Sequence, residues 1–260
     1  MTQKVRIVTT SWDDGDPRDL RVAELLRARG LSGTFYVLPR GYNGKRRLDR
    51  VELESLAAGG LEVGAHGLTH ATLTDLRPEE ITREVRICRE ELEDILRKEV
   101  PMFCYPRGRF NARVVQCVKK AGYVGARTTE MLAHGLNFNP FEMPTTLQVY
   151  PHKRLGYLMQ LAKRARVRQL CEWSTQFGGL SSWFDLGKRL FDFVLREGGI
   201  WHLYGHSSEI DDLDLWPKLE ELLDYVCRRA GVIYLSNGNV LSVLKARMHT
   251  ELQEALAARR

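Results

Sequence analysis

Eight short runs rich in β-branched and apolar residues punctuate the chain, near residues 5–11, 33–38, 61–65, 102–106, 123–127, 143–149, 200–206 and 231–235. Between them lie segments with helical periodicity, among them 20–29, 78–98, 112–121, 183–197 and 215–229. Strand-length runs that alternate with helices pair in parallel, each helix crossing back over the sheet. The pattern predicts an α/β protein with a closed parallel sheet. With 260 residues, 43% of them hydrophobic, the chain can fill such a core. No linker or low-complexity stretch divides it, so residues 1–260 are expected to form one domain. The tail, about 239–260, is rich in Ala, Leu, Glu and Arg and reads as a terminal helix that covers the barrel or pairs with another chain.

The first run stops at Ser11-Trp12-Asp13-Asp14-Gly15, so two carboxylates fall at the carboxyl end of a strand. One can hold a cation while its neighbour stays free to take a proton. His66 and His70 follow the third run, and their four-residue spacing lets two imidazoles converge on one ion across a helical turn or tight loop. Asp-Asp-Gly alone is also a common turn and cap sequence, and paired histidines also satisfy loops. Their joint occurrence after strand-like runs points to a metal site. One carboxylate and two imidazoles leave positions open for water and substrate, as in catalytic zinc centres.

Further segments continue the pattern: Gly33-Thr34-Phe35-Tyr36-Val37, His66-Gly67-Leu68-Thr69-His70, Tyr105-Pro106-Arg107-Gly108 and Leu203-Tyr204-Gly205-His206. In this order they resemble the motifs of the polysaccharide deacetylases, the NodB-homology group of carbohydrate esterases (family 4-like), over about residues 5–236. The resemblance implies a distorted (β/α) barrel of about seven units. It implies that Asp14, His66 and His70 hold a divalent metal, that Asp13 is the base that activates water, and that His206 is the acid that protonates the leaving amine. It also implies an oxyanion and substrate-binding segment at Tyr105, Pro106 and Arg107, with the Arg107 N–H as donor. Such a donor set accepts Zn2+, but also Ni2+, Co2+ or Fe2+.

The chain departs from the family pattern at Cys104, in the fourth motif, at Trp12 where Phe is commoner, and at Arg107 where Tyr is usual. Cys104 stands where the third motif usually opens with an arginine that pairs with the catalytic Asp; Arg127, at the end of the next strand-like run, is expected to supply that guanidinium from an adjacent strand. The fourth motif has no clear match between Thr128 and Trp201, which leaves Glu142, Glu209 and Asp211 as unranked candidates to orient His206. His202, Tyr204 and His206 alternate along one run and share a face. His202, deeper in, reads as a hydrogen-bonded core residue. His134 and His152 carry no assigned chemistry.

The cysteines, Cys88, Cys104, Cys117, Cys171 and Cys227, are scattered and odd in number, which suits free thiols in a reducing compartment. The amino terminus leads into the first strand without a signal-peptide core, and the expectation is a cytoplasmic protein. The formal charge of +6 is concentrated: Lys153, Arg154, Lys163, Arg164, Arg166 and Arg168 occur without an acidic residue, interleaved with Leu155, Leu158, Leu161 and Ala162. An amphipathic helix there is either a solvated face or a surface for anionic headgroups or a substrate phosphate. Nucleic acid is not the expected partner, since a pI near 9.1 and one basic stretch come without an aromatic platform or reading helix. The expected activity is removal of an N-acetyl group from a small, nucleotide-linked or lipid-linked amino sugar. Deformylation, hydrolysis of a non-sugar amide and a non-catalytic glycan-binding role are the alternatives.

Overall fold

The computed structural model describes residues 4–41, 44, 46–163 and 167–257, with backbone alone at 160–163, 167–168 and 251–257. The chain alternates β1 (Arg6–Asp14), α1 (Asp19–Arg29), β2 (Thr34–Val37), α2 (Arg50–Ala58), β3 (Glu62–Ala65), α3 (Pro78–Leu96), β4 (Met102–Cys104), α4 (Ala112–Lys120), β5 (Gly125–Arg127) and β6 (Leu147–Gln148). There follow α5 (Arg154–Lys163), α6 (Val167–Thr175), α7 (Trp183–Glu197), β7 (Gly199–Gly205), α8 (Ser207–Asp212), α9 (Trp216–Val226), β8 (Ile233–Tyr234) and α10 (Asn237–Ala257). The strands run β5-β4-β3-β2-β1-β7-β6, and the registered pairings are parallel. This is the distorted (β/α) barrel that the alternation and the motifs predict. β1 is long enough to pair with β8 at Ile7 and Val8 and with β2 from Ser11 onward.

The 143–149 run divides its hydrogen bonds between two neighbours. At its start Met143 N donates to Ala126 O and Thr128 N to Met143 O, each 2.9 Å, and a parallel bridge joins Arg127 to Met143. At its end Leu147 and Gln148 pair with Leu203 and Tyr204. Only those last two residues form a regular strand, because Pro144 offers no N–H to a ladder. The segment thereby joins the two edges of the sheet.

Alternation along β1 sorts the two sides of the wall. Val8 and Trp12 join the larger apolar core under the helices, whereas Ile7 joins a smaller cluster with Tyr36, Met102, Cys104, Met143 and Ile200. That cluster also takes Val240 and Leu241 of α10. Asn237, at the start of α10, accepts from Thr9 Oγ1 and donates to Tyr36 Oη and, through its backbone, to Thr34 Oγ1, each at 2.9 Å. The start of the terminal helix therefore packs against the barrel.

Two expectations change. The basic segment does not form one helix described from end to end: α5 closes at Lys163, α6 opens at Val167, and Arg164 and Arg166 lie outside the described residues. Helix α2 was not anticipated, although its start is written in Asp49 and Glu52. The Asp49 side chain accepts from Glu52 N while the Glu52 side chain accepts from Asp49 N, a reciprocal capping box.

Candidate metal and catalytic site

The site lies where β1, β3, β4 and β7 end. In a continuing strand Asp13 and Asp14 would face opposite sides. Asp14 leaves the strand at φ 78° and Gly15 follows at φ 67°, a left-handed turn that brings the second carboxylate to the same pocket. Asp13 is buried and Asp14 partly exposed.

His66 follows β3 directly, and His70 returns through a tight loop rather than a helical turn. Glu84 of α3 fixes that loop, accepting from Leu68 N (2.9 Å), Thr69 N (3.0 Å) and Thr69 Oγ1 (2.7 Å). Gly67 permits the turn at φ 82°, where a Cβ would also come within 3.3 Å of Pro106 Cγ. The Nε2 atoms of His66 and His70 each lie 3.6 Å from Asp14 Oδ1. His66 Nδ1 donates to Cys104 O at 2.9 Å, which leaves its Nε2 lone pair aimed at Asp14.

Burial holds the His66 imidazole below its usual range against the pull of Asp13 and Asp14. Burial, joined by the charge of His66, pushes His70 down to about 4. Both rings are therefore neutral near pH 7 and can donate lone pairs. Asp14 Oδ1 is buried and accepts no hydrogen bond. One orphaned carboxylate oxygen and two neutral imidazole nitrogens suit a divalent cation: ligands about 2.0–2.2 Å from a tetrahedral ion lie about 3.3–3.6 Å from one another, and the two Nε2–Oδ1 separations here are 3.6 Å.

Asp13 is engaged by a cation of the chain itself. Arg127 Nη2 donates to Asp13 Oδ1 in a short contact, and both side chains are buried. Burial opposes ionisation of Asp13, but the Arg127 guanidinium, helped by His66 and His206, outweighs it and holds the carboxyl below its usual range. Cys104 and Arg127 are register partners on β4 and β5, and Cys104 Sγ lies 4.0 Å from Asp13 Oδ2. The guanidinium thus arrives from the neighbouring strand at the same level. Arg127 is fully buried and sits behind Asp13, outside the set that lines the pocket.

On the other side His206 Nε2 stands 3.8 Å from Asp13 Oδ2, and His206 Nδ1 donates to Glu209 Oε2 at 3.0 Å. Glu209 is thus the partner among the three acidic candidates. Glu142 accepts instead from Asn139, and Asp211 from Arg18 and Trp216. Burial lowers the pKa of His206, but the hydrogen bond to Glu209 and the charges of Asp13, Glu209 and Asp14 exceed it and push it up to about 9. Ser207, the next residue, donates to Asp19 Oδ1 at 2.6 Å, and both are buried. That bond ties the corner carrying His206 to the corner after Asp13 and Asp14.

The pocket above these groups has a volume of about 330 Å³, and Tyr105, Arg107, Gly108, Thr129, Gln148 and Tyr204 also line it. Tyr105 presents its ring, since its hydroxyl donates to Phe141 O at 2.9 Å. Arg107 sits at φ 58°. Pro106 is buried behind the His66–His70 loop and does not line the pocket. His202 is a core residue, its ring nitrogens 2.9 Å from Ser11 Oγ and 3.0 Å from Pro144 O. Burial brings its pKa down to about 3.

Gln148 and Glu84 escaped the sequence reading. Gln148 Oε1 accepts from Tyr204 Oη and lies 2.8 Å from His152 Nε2, while its Nε2 donates to Glu209 Oε2 at 3.3 Å. Its place at the end of a strand-like run was the available signal. Glu84 gave none, because its partners are 15 and 16 residues away on a loop.

Residues 1–126 match the family model described as polysaccharide deacetylase. The chain resembles the polysaccharide deacetylases in sequence and in fold. The matched half carries Asp13, Asp14, His66, His70 and Cys104; Arg127 and His206 fall beyond it. YxkH of Bacillus subtilis (strain 168), named for a polysaccharide deacetylase, is 23% identical over 126 residues, 48% of this chain. The match spans 45% of that relative's length. Among solved structures, one from Mycobacterium smegmatis, also named for a polysaccharide deacetylase, superposes with a TM-score of 0.60 at 13% identity, covering 95% of this chain and 93% of that one. A family 4 carbohydrate esterase from Streptomyces lividans in complex with acetate gives 0.53 at 15% identity, with 88% and 92% covered. A family 4 pseudoenzyme from Bacillus anthracis gives 0.51 at 16%, with 88% and 63% covered. At these identities the deacetylase structures establish the shared fold.

The Glu84 clamp is expected to govern metal retention. Replacing Glu84 by Ala should weaken metal affinity about 10- to 100-fold by releasing the His70 loop, measured by competition with a chromogenic chelator, while the Asp13–Arg127 contact persists.

Proposed function

We propose that the protein is a divalent-metal-dependent hydrolase that removes an acyl group from the nitrogen of an amino sugar. The observation that carries the reading is the convergence of two separate functions in one small pocket. An oxygen–nitrogen–nitrogen donor set faces one point, and beside it a carboxylate held ionised stands 3.8 Å from an imidazole held protonated. Asp14, His66 and His70 would hold the cation. When bound, a divalent ion, zinc above all, supplies Lewis acidity toward water and the acyl oxygen.

The remaining work belongs to the chain. Asp13, kept anionic by Arg127, accepts the proton of the attacking water as its oxygen bonds to the acyl carbon. The Arg107 N–H is the donor for the oxygen that gains charge, and a backbone donor works whatever the side chain. As the C–N bond breaks, the protonated His206 passes its proton to the amine nitrogen, and Glu209 holds the ring in place. A carboxylic acid and a free amine leave.

A pocket of about 330 Å³ takes one sugar unit more readily than a length of polymer. Arg107 on its lining suits a carrier phosphate, so the substrate class we favour is a small N-acetylated or N-formylated amino sugar on a nucleotide or lipid carrier. The free cysteines favour a reducing compartment, the cytoplasm. Among the described residues no helix is long and apolar enough to cross a membrane.

The decisive assay is acid release from free, nucleotide-linked and lipid-linked N-acyl amino sugars by metal-loaded protein beside Asp13→Asn. Metal-dependent acetate or formate release that falls at least about 100-fold in the variant is expected. Stoichiometric metal with no release from any sugar would instead assign the pocket to a non-sugar amide or to glycan binding.

The acid role of His206 fixes the sign of the pH dependence. Its proton is present below about 9 and is lost above it, so turnover should fall through that range. Because Glu209 raises this pKa, Glu209→Gln should move the alkaline limb of the kcat profile to lower pH; an unmoved limb would separate Glu209 from His206.

A further inference from the structure

We propose that the outer face of α5 seats the protein on an anionic lipid bilayer beside the mouth of the pocket. Helix α5 begins two residues after His152, whose Nε2 lies 2.8 Å from Gln148 Oε1 on the pocket lining. Its inner side is anchored. Tyr157 is buried, with ring centroids 5.5 Å from His152 and 6.1 Å from Trp173 of α6, and Trp173 Nε1 donates to Leu180 O at 3.0 Å. Among the described residues its outer side is uncovered: Leu155 is 64% exposed, Leu158 37% and Met159 52%. At spacings of three and four these residues form one stripe.

Beside the stripe a groove of about 480 Å³ runs between α5 and α6, with Leu158, Leu170 and Trp173 as apolar lining and Arg154 at its edge. Arg154 lies over the Trp173 ring at 5.6 Å. From residue 143 to residue 171 the sequence holds no Asp or Glu, and its six Lys and Arg equal the formal net charge of the whole chain, +6. Lys153 and Arg154, both exposed, begin that run.

An apolar stripe that begins beside the exposed Lys153 and Arg154, in a stretch of sequence free of acids, complements acyl chains below anionic headgroups. A second copy of the chain would bring like charges face to face in an isologous contact. The bilayer is the occupant that satisfies both the charge and the apolar face. A substrate presented at a lipid surface follows, and that consequence rests on the hydrolase reading; the seating itself does not.

The test is co-sedimentation of the full chain with vesicles of phosphatidylcholine alone or with about one-third phosphatidylglycerol. Binding to the anionic vesicles at ~0.1 M salt, and release by about 0.5 M, is expected. Leu155→Glu combined with Met159→Glu should reduce partitioning at least about tenfold, and Lys153→Glu alone should reduce it measurably. Val51→Glu, at a 71% exposed site on α2, should bind as the parent does. All variants should keep turnover of a water-soluble substrate and the parent's circular dichroism. No partitioning of the parent, or partitioning of the double variant and of Lys153→Glu equal to the parent's, would overturn the proposal. A dimeric parent that the double variant splits into monomers would also overturn it and assign the stripe to a second copy. Because binding is read without turnover, failure of the catalytic reading leaves this result interpretable.

Discussion

The contact between Asp13 and Arg127 is the constraint around which the interior of the barrel is arranged. Both side chains are removed from water, and desolvating two charges is repaid only when each faces the other in good geometry. Losing either partner of such a pair typically costs about 3–5 kcal/mol, because the survivor is left charged and buried. The guanidinium is further enclosed by the rings of Tyr36 and Tyr204, whose centroids lie 5.2 and 4.8 Å from its carbon. Those rings stand on β2 and β7, so four strands contribute to one layer of the barrel.

Below that layer, beside the apolar cluster of Ile7, Met102 and Ile200, the polar groups of β1 are paired. Ser11 meets His202, and Thr9 meets Asn237, each at 2.9 Å. The carboxylate is therefore carried on a column of paired groups closed at its foot by α10. Above it, Asp14 and the two histidines face the pocket. The division between a carboxylate fixed as an anion and a carboxylate open to a cation follows from one backbone turn, at Asp14. Neighbouring residues of identical chemistry acquire different surroundings because the strand ends between them.

Much of this was legible in the sequence because strand ends are marked twice, by the stop of an apolar run and by the polar residues that follow. Asp13, Asp14 and His66 are placed by that signal, and the parallel pairing follows from the helices between the runs. Arg127 was legible for the same reason, as the last residue of its run beside Cys104. What escaped depends on distances that no local pattern encodes. Glu84 reaches a loop 15 residues before it, and Ser207 reaches Asp19 across 188 residues. Glu209 stood among equals until the turn at the start of α8 brought its Oε2 to 3.0 Å from His206 Nδ1. The 143–149 run looked like a uniform strand, and only the proline within it explains why its bonds divide between two neighbours.

In the proposed reaction a guanidinium held against Asp13 keeps that carboxylate anionic for the proton of water, whichever strand the guanidinium arrives from. Register pairing of Cys104 with Arg127 makes the most direct measurement possible: kcat of Arg127→Cys compared with that of the exchanged pair, Cys104→Arg with Arg127→Cys. The exchange conserves volume and charge in the layer. The single variant should lose most turnover while retaining metal, and the exchanged protein should recover at least about tenfold of that loss. An exchanged protein that folds and binds metal, yet is no more active than Arg127→Cys alone, would contradict that role of the guanidinium.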